Sequence, residues 1–190
     1  ADSEFMRKAV EGREDEINTC IACNQACLDH TFMGKLTTCL VNPRACHETI
    51  LNYEPVTEAK RIAVVGAGPA GLAYATVAAQ RGHAVTLFEA SSEIGGQFNL
   101  AKTIPGKEEF YETLRYYNRM IAVHGIDLRL NIKADVAGLK AEGFDHVIVS
   151  TGIKPRTPDI EGIDHEKVVS YIDVIKGNKP VGKKVAIIGA

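Results

Sequence analysis

From Arg61 onward the chain alternates short apolar runs with amphipathic or turn-rich stretches. "RIAVVG", "AVTLFEA", "DLRLNI" and "DHVIVS" are rich in Val, Ile and Leu and show little polar alternation, the pattern of parallel strands covered on both faces. Between them, "AGLAYATVAAQRG" predicts a small-residue helix closed by Gly82. "KEEFYETLRYYNRMIAVHG" sets Phe110, Leu114, Tyr117 and Ile121 on one helical face and stops at Gly125. Strand, helix and strand in succession predict an α/β fold: a Rossmann-like parallel sheet with right-handed crossovers.

Residues 12–55 follow no sustained period. They are polar and cysteine-rich, which suggests a small segment held by bound metal more than by a core. Ahead of it, "SEFMRKAVEGR" reads as a short helix capped by Ser3. At the far end "GKKVAIIGA" echoes "KRIAVVGAG" and is expected to open a second strand–turn–helix unit. Both ends read as the middle of a longer protein. The expected organisation is residues 1–55 as the edge of a preceding domain plus the cysteine segment, 56–180 as the first part of a dinucleotide-binding domain, and 181–190 as the first strand of another.

Composition narrows the function. The chain has 190 residues, 45% hydrophobic and 24% charged, with a net charge of −2. Without basic runs, nucleic acid and anionic membrane surfaces are not expected partners. Neither a membrane-length apolar stretch nor a charged-then-apolar leader occurs, so a cytoplasmic location is expected. Thiols stay reduced there, and clustered cysteines then read as metal ligands before disulfides. Gly-x-Ser-x-Gly, Walker and His-Glu-x-x-His motifs are missing from the sequence. Hydrolase chemistry has no support, and no catalytic residue is assigned.

Two stretches carry chemistry. In "RIAVVGAGPAGLAYATVAAQRGHAVTLFEAS", Gly66, Gly68 and Gly71 form G-x-G-x-x-G between a strand and a helix, with Pro69 and Ala70 inside the turn. Gly66 permits the tight turn, Gly68 lets a pyrophosphate approach the backbone, and Gly71 lets helix and strand pack closely. Glu89, ending the next strand, would accept from a ribose diol and would repel a 2′-phosphate. Downstream, Gly96 and Gln97 in "SSEIGGQFN" offer an unobstructed backbone where a long extended cofactor could continue, which favours FAD over NAD. Thr151 and Gly152 end the "DHVIVS" strand at the sheet edge where ligands bind.

The other stretch is "CIACNQACLDHTFMGKLTTC", with Cys20, Cys23, Cys27 and Cys39 spaced C-x2-C-x3-C-x11-C. Three cysteines close together and one distant do not divide into two zinc knuckles. They suit a [4Fe–4S] cubane, whose corners one loop can wrap and a remote thiolate can close. Cys46 is left over and is expected to be a small buried apolar residue. A flavin beside a cluster makes a two-electron to one-electron relay.

"INTCIACNQACLDHTFMGKLTTCLVNPRACHE", "VVGAGPAGLAYATVAAQRGHAVTLFEASSEIGGQFNLAKTIPGKEEFYETLRYY" and "STGIKPRTPDIEGIDH" resemble the middle of bacterial NADPH-dependent 2,4-dienoyl-CoA reductases, grouped with trimethylamine dehydrogenase and related NADH:flavin oxidoreductases. The resemblance covers essentially the whole chain. It implies an upstream FMN-carrying TIM barrel and a downstream NADP-binding domain on the same polypeptide, with an acyl-CoA substrate bound outside this region. Electrons would then pass from NADPH to FAD, through the cluster, to FMN and the unsaturated thioester. It also implies cluster ligation by the four cysteines and FAD contacts from Ala70, Glu89, Gln97, Lys107 and Val136. A trimethylamine dehydrogenase-like or NADH oxidase-like flavoprotein shares the architecture, and a zinc-stabilised nucleotide-binding module is a non-catalytic alternative.

Overall fold

The computed structural model describes residues 2–189 and divides into two compact units, Ala1–Gly152 and Ile153–Ala190.

The first unit opens with α1 (Phe5–Val10), a 3₁₀ turn (Glu14–Glu16) and α2 (Leu28–Phe32). Ser3 does not cap α1: Glu4 is the residue preceding the helix, and no side chain caps it. Asp2 is the local acceptor instead. Its carboxylate takes the N–H groups of Glu4 and Asn18, each at 2.8 Å, and the Lys8 ammonium at 2.7 Å. A carboxylate accepts more strongly than a hydroxyl, so Asp2 organises this corner.

The sheet follows, from β1 (Arg61–Val65) through α3 (Pro69–Gln80), β2 (Ala84–Phe88), α4 (Phe98–Ala101), α5 (Phe110–Val123), β3 (Asp127–Arg129) and α6 (Val136–Glu142) to β4 (His146–Val149). Strand order is β3-β2-β1-β4, all pairs parallel, with Val65 opposite both Phe88 and Val149. The predicted strand–helix alternation is therefore present. Ile62, Val64, Leu72 and Leu87 are the largest fully buried side chains, and each contributes about 2 kcal/mol by leaving water. α3 ends at Gln80 with Gly82 beyond it at φ +101°, and α5 ends just before Gly125 at φ +62°.

Two strands differ from expectation. The third stops at Arg129, three residues short of Ile132, because Asn131 turns left-handed at φ 59°. The N–H groups of Asn131 and Ile132 then reach Ser91 O and Glu89 O at 2.9 Å. β4 is not covered on both faces: it pairs with β1 alone, and Val149 is 73% exposed.

The second unit holds α7 (Tyr171–Ile175), capped by Ser170, whose hydroxyl accepts from Asp173 N–H at 3.1 Å. The expected terminal strand does not form over 184–189; a strand needs a neighbour for its backbone groups, and none of the described residues of that unit lies in one. The final Ala190 lies outside the described residues.

Candidate functional site

The glycine turn sits at the carboxyl ends of β1, β2 and β4. Gly66 has φ +104°, and a Cβ there would stand 2.4 Å from Ser150 O at the end of β4. A Cβ on Gly71 would stand 1.9 Å from Gly66 O. These two glycines are therefore dictated by backbone packing inside the protein. Gly68 is different: its φ is −72°, and a Cβ would meet nothing within 4 Å. Space beside that backbone is open, as the approach of a phosphate requires. Pro69 takes the first helical position, and Ala70 follows it on the exposed start of α3. The first-turn N–H groups there have no carbonyl partner within the helix and favour an anion.

A second backbone strip closes on the first. Gly95 N–H donates to Ala67 O at 2.7 Å, and a Cβ on Gly96 would lie 3.3 Å from Gly68 Cα. Gly68 and Gly96 thus face each other with no side chain between them. Gln97 is the residue before α4 and is exposed.

Glu89 is 8% exposed and holds the turn. One carboxylate oxygen takes Ala67 N–H at 2.8 Å, and the other takes Ser91 N–H at 2.8 Å and its hydroxyl at 2.6 Å. Burial opposes its ionisation, but the hydrogen bonds from Ser91 and Ala67 outweigh it and hold the group below its ordinary value. A carboxylate offers about four lone-pair sites. Donors from Ala67 and Ser91, with the Ala90 N–H beside them, take up most of these internally.

Ser150 carries no signal in a glycine motif, yet it locks the turn. Its hydroxyl lies 3.0 Å from Val65 O and 2.9 Å from Gly66 O, to which it donates. The available signal was a hydroxyl residue at the carboxyl end of an apolar strand. Thr151 lies beside it, its Cα 3.1 Å from where a Gly66 Cβ would stand, and Gly152 continues at φ +79°. Lys107 lies in an exposed turn with its ammonium 5.4 Å from the Phe110 ring centre. Val136 opens α6 and is 68% exposed. No hydrogen bond or ion pair among the described residues ties either to the glycine turn.

The five cysteines are free thiols. Cys20 is exposed, whereas Cys23, Cys27 and Cys39 are half-buried. Left-handed backbone at Ala22 and Asn24, φ 53° and 57°, bends the first stretch, and Ala22 N–H points to Cys20 Sγ at 3.4 Å. Thr38 N–H donates to Ala26 O at 2.8 Å, so the chain returns with the residue before Cys39 bonded to the residue before Cys27. Among the described residues, no set of three or more Cys, His, Asp or Glu side chains converges to hold a metal ion. The donor chemistry fits thiolate ligation, but the geometry shown is that of a loop and not of a closed single-ion site. His30 Nδ1 contacts Leu36 O and His47 Nδ1 contacts Ala45 O, each at 3.1 Å. Cys46 is exposed, not buried, because it sits in the tight turn closed by His47 N–H on Arg44 O, at φ 62°.

Comparison with known proteins places these features in a family. The sequence profile of the pyridine nucleotide-disulphide oxidoreductases matches residues 60–190. The chain is 39% identical, over its full length and 29% of the relative, to a metal reductase of Desulforamulus reducens. It is 36% identical, over its full length and 30% of the relative, to an NADH oxidase of Thermoanaerobacter brockii. The solved structure of a 2-naphthoyl-CoA reductase with 2-naphthoyl-CoA superposes with a TM-score of 0.91 at 41% identity, covering 96% of this chain and 28% of that one. The chain spans about three-tenths of the length of these relatives.

Proposed function

The chain belongs to the pyridine nucleotide-disulphide oxidoreductase family, and from that premise we propose that it is the electron-relay portion of an NADPH-dependent 2,4-dienoyl-CoA reductase. The carrying observation is the pair of facing glycine backbones, Gly68 and Gly96, beside the start of α3 at the carboxyl edge of the sheet. The first strip suits the pyrophosphate of either NAD(P) or FAD; the second glycine strip leaves a cofactor room to continue past its pyrophosphate, which favours FAD. The similarity to a reductase crystallised with an aromatic acyl-CoA supports a conjugated thioester as the substrate class, bound elsewhere on the same polypeptide.

FAD, when bound, supplies hydride acceptance and one-electron release. The chain's residues do the rest. Gly68 and Gly96 would admit the pyrophosphate, with Pro69 and Ala70 setting the helix start that meets its charge, and Gly66 and Gly71 keep that turn closed. Glu89 would hold one ribose hydroxyl while its other contacts fix the turn. Gln97, Thr151 and Gly152 would border the cofactor where it continues along the edge, with Lys107 and Val136 as outer contacts. Cys20, Cys23, Cys27 and Cys39 would ligate a [4Fe–4S] cluster, supported by the Thr38–Ala26 hydrogen bond that brings the chain back just before Cys39 and by the N–H···S contact at Cys20. FMN, the barrel that carries it and the NADP-binding domain would be supplied by further parts of the polypeptide, and a cytoplasmic setting would keep the thiols reduced.

Anaerobic purification followed by metal, sulfide and flavin analysis tests this. Roughly four iron and four sulfide per chain, the content of one cubane, together with FAD is the expected result. Zinc without iron, or neither metal nor flavin after reconstitution, would defeat it. In a polypeptide of the relatives' length, faster NADPH-dependent reduction of a 2,4-dienoyl-CoA than of aromatic acyl-CoA identifies the substrate.

A further inference from the structure

Helix α5 touches both halves of this relay at neighbouring residues. Leu114 is buried, and its Cδ2 lies 2.9 Å from where a Cβ on Gly95 would stand. The helix is packed directly against the Gly95–Gly96 strip. The next residue, Arg115, is committed to the chain leading into Cys20. One terminal nitrogen of its guanidinium donates to Asp15 O at 2.5 Å; the other donates to Ile17 O at 2.8 Å and to Thr19 Oγ1 at 3.4 Å. Its Nε is held by Glu112 Oε2, one turn back, at 2.6 Å. A single side chain thus spans about one hundred positions of sequence, and its two shorter contacts across that span are to main-chain carbonyls.

Arg119, one turn on, reaches the same region differently. It meets the carboxylates of Asp15 at 2.7 Å and Glu16 at 3.0 Å, and its side chain is 42% exposed. The Asp15 carboxylate is exposed and that pair is screened and weak; the Glu16 carboxylate is buried but is also held by Arg13 at 2.6 Å, so Arg119 is not its sole partner. Backbone carbonyls, in contrast, fix where the chain runs, and a planar guanidinium fork matches two of them at once as an ammonium cannot. Ile17 and Thr19 lie three positions and one position before Cys20, so whatever fixes them fixes the start of the cysteine loop.

We propose that Arg115 is a positioning residue that fixes the approach to Cys20 against α5 and so holds the cysteine loop and the dinucleotide turn at a set separation. The proposal deepens the relay reading and rests on it for its functional meaning, while its structural content stands on the contacts alone. Electron passage between two bound cofactors depends on the distance between them, and α5 is the element that carries that distance.

Hydrogen exchange of the 190-residue chain tests it with R115Q, R115K and R119Q. Hydrogen bonds to a charged donor hold segments strongly enough that R115Q should raise amide exchange over residues 16–20 by about tenfold or more, with faster iodoacetamide alkylation of Cys20. R115K should not rescue either readout, and R119Q should change them less than R115Q does, because Arg13 still pairs with Glu16 and the carbonyl contacts of Arg115 are intact. Amides of β1 and β2 should keep their protection. Added FAD should slow exchange over residues 16–20 in the wild-type chain and not in R115Q, with FAD affinity itself little changed. Unchanged exchange in R115Q, full rescue by R115K, or an equal rise across β1 and β2 would each overturn the positioning role. A wild-type chain that takes up neither flavin nor iron defeats the relay reading, and the exchange comparison without FAD then still decides whether Arg115 positions the loop.

Discussion

Gly66, Gly68 and Gly71 share one motif but answer to different constraints, and substitution separates them. Gly71→Ala drives a methyl group to within 1.9 Å of Gly66 O, so the turn must open. A loss of about 3 kcal/mol or more in denaturant unfolding is expected. Gly68→Ala meets no atom within 4 Å at an ordinary φ, and its stability should stay within about 0.5 kcal/mol of wild type. The new methyl group stands where a pyrophosphate would approach, so FAD affinity, followed by flavin fluorescence, should fall in a protein that is still folded. Glu89 adds a pH signature. Its folded-state pKa lies below the ordinary 4.5, so the unfolded chain takes up this proton first as pH falls. The stabilisation is present above 4.5 and is lost as pH drops from there through the folded value. Glu89→Gln should flatten the stability profile across that window, measured by unfolding at a series of acid pH values. The glycines and Glu89 were legible because spacing alone predicts their neighbours. Ser150 was not, since its partners Val65 O and Gly66 O lie 85 and 84 positions away and only the parallel pairing of β4 with β1 brings them together. The exposure of Cys46 was hidden for a related reason: cysteine burial is a statistical tendency, and a tight turn overrides it.

At the scale of elements, legibility followed the strength of the hydrophobic period. The face of α5 read from Phe110, Leu114, Tyr117 and Ile121 is the packed one, with Leu114 and Ile121 buried and the two aromatics half-buried. Ile121→Ala should cost about 2–4 kcal/mol as a buried large-to-small change. Val123→Ala, at a position 41% exposed on the same helix, should stay within about 0.5 kcal/mol; paired urea titrations compare the two. α6 was missed although its ends are well marked. Asp135 accepts Gly138 N–H at 2.8 Å as the N-cap, and Gly143 closes it at φ +65°, but seven residues without a buried face give the period nothing to act on. The terminal apolar run shows the converse: "KVAIIG" has strand composition, yet composition does not supply the neighbouring strand that its backbone needs.

At the scale of the molecule, large apolar side chains are exposed in both units. Part of this apolar surface lies in the cysteine segment, where Phe32, Met33, Leu36 and Leu40 are all more than half exposed. Val147 and Val149 add to it on the free edge of the sheet. Exposed large apolar side chains in this number favour contact or association, and relatives more than three times longer have further polypeptide available to cover them. The 190-residue chain is therefore expected to bind the dye anilinonaphthalene sulfonate strongly and to self-associate as concentration rises, both followed by fluorescence and light scattering. Phe32→Ser together with Met33→Ser should reduce both without lowering the unfolding midpoint, because neither side chain belongs to the buried core. In a polypeptide of the relatives' length the same double substitution should no longer alter dye binding, since the surface is then covered, and should instead weaken the fold. Dye binding that is equally strong in both lengths would mean that this surface is not covered by the same chain and serves a separate partner.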